Sequence, residues 1–103
     1  MMPTLTLIGI GNENGRSYFI LAKENLFRNY FNEILDKLDI KDQIYEEQGV
    51  IEERVNETDH FKNEKFDIDV IYTETRIIIL VRANTKNLKE FKSVILAYSK
   101  MSE

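Results

Sequence analysis

The chain has 103 residues, of which 43% are hydrophobic and 11% aromatic, so we expect a single folded domain over residues 1–103. It contains no cysteine, which excludes disulfides and thiolate metal sites and agrees with a cytoplasmic location. No apolar run approaches the roughly 18 to 20 residues of a membrane span, and the first residues do not resemble a signal peptide, so we expect no membrane association.

The formal net charge of −4 is distributed unevenly. Residues 33–74 carry 14 acidic and 5 basic side chains, whereas residues 75–103 carry 2 acidic and 6 basic ones. The simplest interpretation is a solvated acidic region followed by a basic final helix. A sharper hypothesis is that the acidic region docks on a basic partner, because complementary charge accelerates association. The overall acidity argues against nucleic-acid binding.

The first third of the chain predicts a β-hairpin followed by a helix. Residues 4–10 (TLTLIGI) and 16–22 (RSYFILA) have strand composition and flank a turn rich in Gly and Asn. Apolar residues then recur at helical spacing until the helix ends near Asp39. This stripe comprises Leu26, Phe27, Tyr30, Phe31, Ile34, Leu35 and Leu38.

The middle of the chain gives the weakest pattern. Gln48-Gly49 resembles a turn, and residues 50–56 alternate roughly as an edge strand would, with charges that resist aggregation. Residues 56–65 (NETDHFKNEK) are almost wholly polar and predict an exposed loop, with Phe61 as its only apolar anchor.

The last third predicts a second hairpin and a second helix. Residues 66–72 alternate, residues 73–75 form the turn, and the apolar run 77–81 suits a strand covered on both faces or nearly so. The second helix is expected from Thr85 to about Met101. The predicted order is ββαβββα, an α+β fold with an antiparallel sheet of four or five strands and both helices on one face.

Two stretches resemble sites for chemistry. Gly9, Gly11 and Gly15 give a GxGxxxG spacing after a strand, similar to a dinucleotide-binding turn, although the next stretch predicts a strand where such a site needs a helix. We therefore favour a hairpin turn and keep a nucleotide-binding regulatory domain that uses this Gly9–Gly15 turn as an alternative.

Asp67 and Asp69 lie on the same side of a predicted strand. With Glu52 or Glu53 nearby they would supply oxygen ligands for Mg²⁺, as in a metal-dependent nuclease or phosphate-ester hydrolase. Polar residues facing solvent on a one-sided sheet explain them more simply. His60, the only histidine, is predicted to lie in the polar loop without a catalytic role.

The sequence thus favours a small acidic protein-binding module without catalytic activity and without a cofactor. Its partner would be a protein with a basic surface, such as a nucleic-acid-handling enzyme. The chain would then act as an immunity protein or a phage-type inhibitor that blocks this partner. A homodimer is compatible with any of these functions. The candidate partner-binding residues are Glu46, Glu47, Glu52, Glu53, Glu57 and Asp59.

Overall fold

The computed structural model describes the backbone of residues 43–51 and 54–56 and the complete residues 5–13, 15–40 and 57–101. In this part of the chain, two helices and seven strands form an α+β fold with one sheet. The elements, in chain order, are β1 (Leu5–Glu13), β2 (Arg16–Ala22), α1 (Phe27–Lys37), β3 (Gln43–Ile51), β4 (Arg54–Lys62), β5 (Asp67–Tyr72), β6 (Arg76–Arg82), α2 (Thr85–Ala97) and β7 (Ser99–Met101).

The sheet has the strand order β3-β4-β5-β6-β2-β1-β7. All neighbours are antiparallel except β7, which pairs in parallel with β1, so the sheet is mixed. The prediction of four or five antiparallel strands in the order ββαβββα was therefore wrong in detail. The middle of the chain forms two strands where one was expected, and α2 ends at Ala97 because residues 99–101 pair with β1.

Residues 56–65 were predicted to form an exposed loop, and this prediction was wrong for most of the segment. Residues 57–62 instead pair with β5 along their whole length, from Glu57 opposite Tyr72 to Lys62 opposite Asp67. Gln48-Gly49, predicted to be a turn, lies inside β3. The polar composition of β4 did not predict a strand. Its buried carboxylate, Asp59, is stabilised by an ion pair with Arg28, which is distant in sequence.

Both helices pack on the same face of the sheet, as predicted. In α1 the ring centroid of Phe31 lies 5.6 Å from that of Phe61 on β4, and in α2 that of Phe91 lies 5.5 Å from that of Phe19 on β2. The register across β5 and β6 puts Phe61 and Phe19 on one side of the sheet. They belong to a single cluster of buried side chains that includes both helices.

The apolar run on β6 divides between the two faces. Ile77, Ile79 and Val81 are at most 1% exposed beneath the helices, whereas Ile78 and Leu80 are only half-buried on the opposite side. The strand was expected to be covered on both faces or nearly so, and it is completely covered on one face. On the other, no helix of the described residues covers the side chains; we call it the open face, and its apolar part comprises Tyr18, Ile20, Ile71, Ile78 and Leu80.

Local hydrogen bonds fix the ends of the helices. After α1 the backbone of Asp39 adopts φ 58°, and the N–H of Ile40 donates to the carbonyl of Leu35 at 2.9 Å, which is the pattern of a Schellman motif. The side chain of Asn84 caps α2 by accepting from the N–H of Asn87 at 2.8 Å. Among the described residues, no helix is long and apolar enough to cross a membrane.

Candidate functional site

The acidic segment of the chain forms the β3–β4 hairpin at one edge of the sheet. Every acidic residue between positions 43 and 62 belongs to the predicted partner-binding set, and only two basic residues, Arg54 and Lys62, accompany those six acids. β3 is the edge strand, with Glu46 opposite Asp59 and Glu47 opposite Thr58 in the register. Glu52 and Glu53 lie outside the described residues.

Glu57 and Asp59 both contact Arg28 of α1. The Arg28 guanidinium lies 3.4 Å from Glu57 Oε2 and 3.3 Å from Asp59 Oδ2, and it also stacks 4.5 Å from the centroid of the Tyr72 ring. The side chain of Glu57 is 57% exposed, whereas that of Asp59 is only 5% exposed. Asp59 thus joins α1 to the sheet, and Glu57 remains exposed to solvent.

Tyr72 completes this cluster. Burial of its ring raises the pKa of the phenol, and the neighbouring Asp59 carboxylate, which accepts a hydrogen bond from the hydroxyl, raises this pKa further. Arg28 opposes these two effects. Tyr72 is therefore held in its neutral form as a hydrogen-bond donor to a buried carboxylate. Arg28 and Tyr72 were not predicted, because each meets Asp59 only through the tertiary fold.

A second charged cluster lies on the open face. His60 stands on β4 and not in a loop, and the register places it opposite Asp69. Its Nδ1 atom is 2.6 Å from Asp69 Oδ1, while Nε2 is 3.2 Å from Asp67 Oδ1, an oxygen without a hydrogen-bond partner among the described groups. Arg82 donates to Asp69 Oδ2 at 3.1 Å. The two aspartates do share one face, as predicted.

This second cluster bears on the metal-dependent alternative. Both ring nitrogens of His60 face carboxylate oxygens, and Asp69 is also engaged by Arg82, so the space around the two carboxylates is occupied by protein cations and donors. Within the described ranges, no group of three His, Asp or Glu side chains could hold a metal ion. The geometry is that of a cross-strand ion-pair network, in which partly buried charges stabilise one another.

The glycines of the alternative nucleotide site have structural roles. Gly9 and Gly11 lie within β1, and the turn residue Gly15 has φ +69°, which favours glycine. A Cβ atom at Gly11 would overlap the ring of Tyr18 across the hairpin. The element after the turn is β2, an antiparallel strand, so the helix that a dinucleotide-binding turn needs does not follow it.

Comparisons with protein-family models, with curated proteins and with solved structures find no match to this chain. Its function is therefore argued from the surface geometry described above.

Proposed function

We propose that this protein is a non-enzymatic binding module that docks on a basic surface of another protein through its β3–β4 hairpin. An inhibitor or immunity-type protein acting in the cytoplasm on a nucleic-acid-handling enzyme fits this chemistry, because such an enzyme presents a basic site. The observation that carries the proposal is the concentration of six acids and two bases on residues 43–62, which form an edge hairpin and not an unstructured loop.

The position of β3 at the edge adds a second means of recognition. An edge strand offers backbone N–H and C=O groups to an incoming strand, so a basic extended segment could add to the sheet while its charges meet the acidic hairpin. If the same hairpin of a second copy of this chain approached β3, the acidic side chains of the two hairpins would repel each other. The hairpin thereby favours partners of opposite charge.

Two of the six candidate residues, Glu57 and Asp59, contact Arg28. Asp59 is buried against Arg28 and Tyr72, so its replacement would disturb the packing of α1 as well as any interface. Glu57 also contacts Arg28, from a more exposed position. The variant that tests the proposal therefore leaves these two residues intact and changes Glu46, Glu47, Glu52 and Glu53 together to Gln.

The matched control removes four charges elsewhere: Asp36→Asn, Glu64→Gln, Glu74→Gln and Glu90→Gln, all at exposed positions outside the hairpin. Each protein is immobilised, exposed to an extract of its source cells at low salt, and washed at rising ionic strength. We expect the wild type and the control to retain the same basic protein and the hairpin variant to lose it. Equal retention by all three proteins, or no retained basic protein, would contradict the proposal.

A further inference from the structure

A cleft of about 520 Å³ separates the end of the β1–β2 hairpin from the first half of α2. This volume falls in the range of roughly 300–1,000 Å³ that is typical of small-molecule sites. The cleft lies on elements distinct from the β3–β4 hairpin, and the proposed function makes no use of it.

The residues that line the cleft are net positive, although the chain as a whole is net negative. Arg16 at the start of β2 and Lys89 and Lys92 on α2 contribute three positive charges, and Glu13 contributes the single negative one, for a formal +2 in a chain of net −4. Glu13 lies 3.9 Å from Arg16 and both side chains are more than half exposed, so this ion pair is weak. The Arg16 guanidinium therefore keeps donors for a ligand.

The helix side of the cleft follows from the spacing of its residues. Thr85, Lys89 and Lys92 are separated by four and three positions, which brings them to one side of α2, and Leu88 adds a half-buried apolar contact beside them. One wall thus combines a hydroxyl, two ammonium groups and a small apolar surface. Such a set matches a ligand that has an anionic end and a less polar body.

The hairpin side is held in place before any ligand binds. The N–H of Ala83, just before α2, donates to the carbonyl of Gly15 at 3.3 Å, which ties the turn to the helix start. The buried Ser17 hydroxyl donates to Asn12 Oδ1 at 2.7 Å. This bond fixes Oδ1 of Asn12 towards Ser17, so the Nδ2 group with its two N–H donors is the part of the side chain left for a ligand.

We propose that this cleft binds a small organic phosphate, with Arg16, Lys89 and Lys92 contacting the phosphate group. Three cationic side chains and additional N–H or O–H donors line the cleft, and a phosphate monoester supplies the acceptor oxygens that such a set requires. The recognition works through side chains of β2 and α2, and the glycines of β1 contribute no phosphate contact.

Titration of the ¹⁵N-labelled full chain with AMP, followed by two-dimensional NMR, tests this site. Adenosine serves as the matched probe without phosphate. We expect AMP at millimolar concentration to shift the amide signals of Ser17, Thr85 and Lys89 in a saturable manner and adenosine to leave them unchanged. The absence of saturable shifts with AMP, or equal shifts with both compounds, overturns the proposal.

Two double variants separate a specific site from general charge attraction. Lys89→Gln with Lys92→Gln should weaken AMP binding by about tenfold or more, since two of the three cationic groups proposed to contact the phosphate are removed. Lys37→Gln with Lys65→Gln removes the same charge at exposed positions that do not line the cleft, and should leave the affinity within about twofold. Equal weakening by both variants shows non-specific binding and overturns the proposal. The proposed function does not depend on this outcome.

Discussion

On the face of the sheet beneath the helices, the Asp59 side chain is 5% exposed and is held by Arg28 and Tyr72. On the open face, the Asp67 and Asp69 side chains remain 31% and 21% exposed beside His60 and Arg82. On both faces these aspartate carboxylates contact basic side chains. Only Asp59, on the covered face, is almost completely shielded from solvent. A carboxylate on this sheet can thus be assigned a structural or a surface role only when its face is known.

The largest expected difference in stability between the two faces concerns two adjacent isoleucines. Ile79 is completely buried and Ile78 is half-buried on the open face. Ile79→Ala should lower the free energy of unfolding by about 2–5 kcal/mol. Ile78→Ala should lower it by about 1 kcal/mol, because folding buries less of the apolar surface of Ile78 than of Ile79. Urea denaturation of both variants measures the difference.

The same two variants also test whether solvent contacts the open face. If Ile78→Ala costs as much as Ile79→Ala, and the melting temperature rises with protein concentration, then a second copy covers the open face in solution. That result would favour the homodimer predicted as an option from the sequence.

The charged residues should show the next largest difference. Asp59→Asn removes a buried carboxylate from Arg28 and Tyr72, and should destabilise the fold by about 1–3 kcal/mol. Asp69→Asn acts on a more solvated network and should cost within about 1 kcal/mol. Chemical denaturation at neutral pH compares the two variants. A larger loss for Asp69→Asn would show that the network on the open face contributes more to stability than the cluster under α1.

A pH dependence should arise from Tyr72 on the covered face. Its pKa is raised in the folded state, first by burial and then by Asp59, so the folded protein holds this proton more tightly than the unfolded chain. The stabilisation is complete below the unfolded pKa of about 10 and is lost as the pH rises above it towards the folded pKa. Stability measured from pH 9 upwards should fall more steeply for the wild type than for Tyr72→Phe.

Spectrophotometric titration gives a direct check on Tyr72. The difference between the wild type and Tyr72→Phe should place the ionisation of this phenol above that of an ordinary tyrosine. Ionisation near pH 10 in the folded protein would contradict the burial of the hydroxyl against Asp59.

The smallest expected effect tests the metal-dependent alternative on the open face. Because His60 and Arg82 already engage Asp67 and Asp69, calorimetric titration with Mg²⁺ or Mn²⁺ at millimolar concentration should give no binding heat. Asp67→Asn serves as the matched control and should behave in the same way. Saturable heat that disappears in this variant would instead support a hydrolytic function.

The sequence predicted the elements whose apolar spacing is regular. The stripe of α1 and the hairpin β5–β6 follow from periodicity, which depends on nearby residues alone. The position of both helices on one face was expected from the order of the elements. β4 could not be found in this way, because Asp59 and His60 are acceptable in a strand only beside Arg28 and Asp69. The six acidic candidates were predicted as a set from composition, but the distinction between the buried Asp59 and the exposed Glu57 required the fold.

The parallel pairing of β7 with β1 has a consequence for how the chain folds. Leu5 lies opposite Ser99, and the Leu5 N–H donates to the carbonyl of Tyr98 at 3.0 Å, so this border of the sheet joins the two most distant described strands. During synthesis, β1 cannot pair with β7 until residues 99–101 emerge from the ribosome. Contacts of such long sequence separation slow folding, because the chain must close a large loop before they form. We therefore expect the hairpins to form early and this border to be completed last.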